Sequence, residues 1–265
     1  MNEPALLSEE VHSVCRLRAK REYADGLIGG TAECSGFLWR RSGRVYLLSN
    51  WHCLSGMHPT TKEPIGSFLP NQLEIQFRIR KRLPNGDVSR PLKMQVSLED
   101  EFGERTWIEH PHGSEVDVAA LPLRIKEDEE NQFFCMNEID SLDSWQPEPS
   151  SDAFIVGYPE GFSADFGTPI WKRASIASEP NVSFEGKPII LVDTIGNREL
   201  SGAAVIARAS GMHLPSGKLD GDAVIGSWKK FLGIYSGRLS ASGIGSQIGR
   251  VWKSSVIEEI LDHSR

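Results

Sequence analysis

Apolar and polar residues alternate with a period of two in several short runs of this chain, and no other pattern restricts its fold so strongly. Successive side chains of a strand point to opposite faces, so this period marks half-buried sheet. Cys15, Leu17 and Ala19 alternate with Arg16, Arg18 and Lys20, and Leu73, Ile75, Phe77 and Ile79 alternate with Glu74, Gln76 and Arg78. Phe37-Leu38-Trp39 and Val45-Tyr46-Leu47-Leu48 flank Arg41-Ser42-Gly43, which reads as a hairpin. Further strands are expected at 153–156, 188–192, 203–207 and 231–235. Gly, Pro, Asn and Asp separate these runs at close spacing, which implies an all-β fold of barrels or sandwiches rather than βαβ units.

Punctuation divides the chain. Residues 126–151 turn acidic and then rich in Pro and Ser, as a connection between two halves would. The expected division is an N-terminal half over 1–130, a linker over 131–151, a C-terminal half over 152–253 and a helix over 254–265. In that helix Ser254 or Ser255 caps the start, and Val256, Ile257, Ile260 and Leu261 share one face. Residues 210–222 read as a surface loop.

Composition excludes several function classes. At 265 residues and 39% apolar content the chain buries a substantial core, and no apolar run of about 18 residues is present to span a membrane. The opening ten residues carry three glutamates and no basic or long apolar block, so no leader and a cytoplasmic location are expected. A formal charge of −7 with scattered Lys and Arg argues against nucleic-acid binding. The densest basic cluster, Arg78, Arg80, Lys81 and Arg82, runs into Pro84-Asn85-Gly86-Asp87 and reads as a solvated hairpin end. The four cysteines include no Cys-x-x-Cys pair, and His110 and His112 have no carboxylate or cysteine at ligand spacing, so no metal and no cofactor are expected. Asn181-Val182-Ser183 matches a glycosylation sequon, which has no role in a cytoplasmic protein.

Three residues carry chemistry. His52 ends the run Leu47-Leu48-Ser49-Asn50-Trp51-His52, Asp117 opens Asp117-Val118-Ala119-Ala120-Leu121, and Ser201 sits in Leu200-Ser201-Gly202-Ala203. A hydroxyl attacks a carbonyl poorly unless a base removes its proton, and an imidazole serves best when a carboxylate fixes its tautomer. Cys53 is a rival nucleophile by type, but as a strand neighbour of His52 it is expected to point away from it.

With these residues in view, the chain resembles the trypsin-like serine proteases of the chymotrypsin superfamily, in their compact bacterial form, from about Val14 to Leu261. Cys34-Ser35-Gly36-Phe37-Leu38 resembles the strand before the family's histidine, and Asn50-Trp51-His52 its histidine motif. Val116-Asp117-Val118-Ala119-Ala120-Leu121 is similar to its aspartate motif. Val156-Gly157-Tyr158-Pro159 resembles the turn opening the second barrel, and Gly233-Ile234-Tyr235-Ser236-Gly237 the strand that pairs with substrate. The order His, Asp, Ser is also the family's.

The resemblance implies two antiparallel β-barrels of the chymotrypsin type, with His52, Asp117 and Ser201 catalytic in the cleft between them. It implies backbone oxyanion donors at Glu199 and Ser201. It also implies substrate contacts at Ile195, on the floor of a specificity pocket near Asp193, and at Tyr235, Ser236 and Arg238 on the wall. Ile195 favours an apolar or small side chain. Secreted members bond a cysteine placed like Cys53 to one placed like Cys34; a reducing compartment makes two buried thiols the expectation here. The function implied is a serine endopeptidase that hydrolyses peptide bonds through an acyl-enzyme, with a protein or peptide as partner.

Glu199 departs from the family, which has glycine there because the backbone conformation suits it. A flipped peptide at that position would lose one oxyanion donor, about 100- to 1000-fold in rate. Ala203 and Ala204 also replace the usual small residue and proline. The competing expectation is therefore a protease-fold protein that is inactive, or latent until a partner protein activates it, and that binds peptides through the same cleft.

Overall fold

The computed structural model describes residues 7–84, 86–125, 131–139, 145–194, 200–214, 223–240 and 242–263. Within them the chain is built of antiparallel strands with a short C-terminal helix. The first half comprises helix α1 (Glu9–Ser13), strands β1 (Val14–Glu22), β2 (Ile28–Arg41) and β3 (Arg44–Ser49), and helix α2 (Trp51–Ser55). Strands β4 (Gln72–Lys81), β5 (Val88–Ser97), β6 (Ile108–Glu109), β7 (Ala119–Leu123) and β8 (Asn131–Gln132) follow. They form one eight-stranded sheet in the order β5-β4-β1-β2-β3-β7-β6, with β8 paired to β4. The second half comprises β9 (Asp152–Gly157), β10 (Ile170–Ile176), β11 (Ile189–Asp193), β12 (Ala204–His213), β13 (Val224–Arg238) and β14 (Ile248–Lys253), then helix α3 (Ser255–His263). These six strands close into a barrel in the order β10-β11-β14-β13-β12-β9.

The period-two pattern acts as expected. Cys15, Leu17 and Ala19 of β1 and Leu73, Ile75 and Phe77 of β4 are buried in one cluster with Leu38, Leu47, Trp51 and Leu54. On the opposite face, Arg16 and Arg18 of β1 pair with Glu33 at 3.1 and 2.6 Å, and Lys20 pairs with Glu74 at 2.9 Å. These cross-strand pairs add modestly to the register that burial already sets. The β2–β3 hairpin forms as read, with Ser42 and Gly43 both at positive φ, as a two-residue turn of right-handed twist demands.

Three corrections follow from pairing. Residues 210–213 continue β12 rather than starting a loop, because they pair with 224–227 of β13. Arg78 is not solvated: it is 5% exposed, its guanidinium donating to Ser89 Oγ at 2.7 Å, to Ser89 O at 3.0 Å and to the carbonyl of Phe166 in the second half. Residues 131–139 do not merely connect, since β8 joins the sheet while Phe133, Cys135 and Met136 are buried.

The two halves share a second apolar cluster. Phe37, Trp39, Tyr46, Leu48, Val116 and Val118 of the first half meet Val156, Tyr158, Ile189, Ile234 and Trp252 of the second. Helix α3 adds Val256, Ile257, Ile260 and Leu261, the face read from the sequence, and it packs on β6 and β7 of the first half. Arg41 reaches Asp262 at 2.6 Å and also Glu258, fastening the helix from outside. The barrel interior is a third cluster, with Ile155, Ile190, Val192, Val205, Tyr235 and Val251.

Candidate active site

His52 lies on α2, a single helical turn that starts where β3 ends. Asn50, in an extended conformation, precedes it, and Gly56 closes it at φ +72° with its N–H on the His52 carbonyl at 3.0 Å. Trp51 is 2% exposed, donates from Nε1 to Glu109 at 2.8 Å and meets Trp107 edge-on, which locks the turn in place. The register of β3 on β7 sets Ser49 opposite Ala119. Continued past the strand ends, it brings Asp117 level with the start of α2.

The carboxylate of Asp117 is held from three sides. Its Oδ1 accepts the His52 backbone N–H at 3.0 Å. Its Oδ2 lies 2.7 Å from His52 Nδ1 and accepts the Ser236 hydroxyl at 2.5 Å. The Asn50 side-chain amide meets the Asp117 carbonyl at 2.7 Å. A buried carboxylate needs such partners, and the acceptor at Asp117 Oδ2 requires a proton on His52 Nδ1. Burial disfavours the imidazolium, yet the charge and hydrogen bond of Asp117 together with the contribution of Cys53 outweigh it and hold His52 well above its usual range.

Ser201 reaches the same cavity from the second half, since His52 and Ser201 line it together with Asp117 and Ser236. The serine is fastened on both sides. Its carbonyl accepts the Ser35 N–H of β2 at 2.9 Å, and the Gly202 N–H donates to the Tyr235 carbonyl of β13 at 3.0 Å. Gly202 sits at φ +81°, where a Cβ would stand 2.1 Å from the Ser35 carbonyl oxygen and 2.4 Å from Ser49 Oγ. Only glycine permits that approach. Ser35 completes the seam: Ser49 Oγ donates to its carbonyl at 2.7 Å, and its own hydroxyl accepts the Tyr158 N–H at 2.9 Å.

Ile195 and Glu199 lie outside the described residues, so the proposed pocket floor and the oxyanion donor at Glu199 have no structural account. Arg238 lines the cavity beside Ser236. Tyr235 is fully buried, with its ring inside the barrel. Cys53 follows His52 on a helical turn, not on a strand, and is buried with Cys34. A hydrogen bond with Cys34 and burial push the Cys53 thiol well above its usual range, which makes it a poor nucleophile. All four cysteines are free thiols. His110 is a structural residue, with Nε2 2.9 Å from Glu259 and Nδ1 accepting the His112 N–H at 3.1 Å.

Ser35, Asn50 and Ser236 support the site in ways that motif spacing does not reveal. Ser236 adjoins Tyr235 in a strand motif, but its bond to Asp117 spans both halves. Arg250 also lines the cavity, from β14, and nothing near it in sequence marks it out. No family model matches this chain, and no curated protein matches it either.

Proposed function

We propose that this protein is a serine endopeptidase of the trypsin-like kind, acting through an acyl-enzyme. What carries the reading is the 2.7 Å contact of His52 Nδ1 with a buried, triply bonded Asp117, in a cavity that Ser201 also lines. In this mechanism Ser201 Oγ attacks the scissile carbonyl while His52 Nε2 takes its proton. The tetrahedral intermediate expels the amine, which receives that proton from His52. Water then attacks the acyl-enzyme by the same base catalysis, releasing the acid and restoring Ser201. Asp117 stays ionised, orients the imidazole and stabilises its cation. The oxyanion is assigned to the backbone N–H groups of Ser201 and Glu199.

Labelling with a fluorophosphonate probe tests this. The wild type is expected to label, while Ser201→Ala and His52→Ala do not. A folded wild type that stays unlabelled would favour the second reading, an inactive or latent protein that binds peptides in this cleft. The glutamate at position 199 is what supports that reading, and labelling gained in Glu199→Gly would establish it.

A further inference from the structure

The cleft has two sides of opposite character. On one side of His52 and Ser201 is a cavity of about 200 Å³ lined by Ala19, Ala32, Cys34, Cys53, Phe68 and Pro70 among others. On the other is a cavity of about 490 Å³ that holds Arg238, Arg250 and His58. Among the described residues neither arginine has a carboxylate partner; Arg250 donates from Nη2 to the Ser236 carbonyl at 3.4 Å. The carboxylate lining that cavity, Asp117, is already engaged by His52 and Ser236. In a chain of net charge −7, two guanidinium groups beside Ser201 with no carboxylate partner among the described residues concentrate positive potential at one point.

A second observation points the same way. Among the described residues, Arg250 Nε is buried without a hydrogen-bond partner. Arg250 lines the cavity and this atom can donate; a buried donor left unpaired carries a penalty that an anionic acceptor removes.

We propose that this cavity binds the carboxylate of an acidic side chain of a peptide, with the neighbouring peptide segment directed to the apolar cavity across the scissile bond. This differs from the apolar preference read from Ile195. It rests on the peptide-cleft reading above, but binding alone can test it.

The test uses the full chain carrying Ser201→Ala and fluorescein-labelled peptides Ala-Ala-Glu-Leu-Ala, with Gln or Lys in place of Glu, followed by anisotropy. At low salt the Glu peptide is expected to bind about tenfold more tightly than the Gln peptide and more tightly still than the Lys peptide. Adding Arg250→Gln or Arg238→Gln should reduce that ratio to below about threefold, with thermal melting confirming that each variant folds. Equal binding of the Glu and Gln peptides, or a ratio unmoved in both folded variants, overturns the proposal. A wild type that ignores the fluorophosphonate while the Glu preference persists would sink the hydrolase reading and leave this one standing.

Discussion

Asp117 accepts three hydrogen bonds from groups on both halves of the molecule, so the identity of this one side chain should govern both rate and pH profile. In Asp117→Asn the imidazole loses the partner that fixes its tautomer, and kcat should fall about 10⁴-fold with the fold retained. The base must be neutral to act, so the acidic limb of the wild-type profile should sit well above the usual imidazole range. With Asp117→Asn it should move to lower pH, read as residual fluorophosphonate labelling against pH. The linkage has the matching sign. Because folding raises the His52 pKa, its contribution to stability is complete below its ordinary value of about 6.5 and is lost as pH rises through the folded value. Gly202 is equally constrained. Gly202→Ala should destabilise by about 3 kcal/mol and abolish labelling, because its Cβ meets a backbone oxygen that belongs to the strand anchoring the serine.

Among the elements, α3 shows how much one apolar face decides. Its four buried residues follow helical spacing, and that spacing was legible because nothing else in the segment competes with it. The surface it covers was not legible: the helix follows β14 of the barrel yet packs on β6 and β7. Ile257 is wholly buried there, so Ile257→Ala should cost about 3 kcal/mol. Thermal melting should register this as a fall of roughly 6 to 12 °C. Helix α2 shows the opposite case. Five residues are too few for a periodic signal, and the run into His52 reads as strand. The turn forms because Gly56 takes the left-handed conformation and Trp51 is anchored by Glu109, both effects of position.

Across the whole molecule, the seam between the halves is what brings His52 and Ser201 to one cavity. Ser35 sits at its centre, tying Ser201, Ser49 and Tyr158 together. Ser35→Ala leaves the Tyr158 N–H without its acceptor, and denaturant unfolding should show a loss of about 1 to 3 kcal/mol. A slower rate of fluorophosphonate labelling should accompany it, since the serine is positioned through this strand. A second tie crosses the molecule from α1, where the fully buried Glu10 meets Lys229 of β13 at 2.7 Å. Burial works against the Glu10 carboxylate, but Lys229, a backbone hydrogen bond and Arg208 together prevail and lower its pKa. Its contribution is present above the ordinary glutamate value of about 4.5 and is lost as pH falls through the folded value. Glu10→Gln should therefore lower stability at neutral pH and flatten the acid limb of the unfolding curve.

By itself the sequence determined the strand periodicity, the hairpin at Ser42-Gly43, the apolar face of α3 and the His, Asp and Ser candidates. Each of these rests on a local rule: side-chain alternation, turn conformation, helical spacing, or residue chemistry in a recognisable run. The tertiary structure alone decided that Ser236 bonds Asp117, that Arg78 is buried against the second half, and that Arg250 lines the cleft beside Ser201. Those contacts join residues far apart in the chain, and their partners are chosen by sheet register and by the docking of the two halves. No short stretch of sequence carries that information.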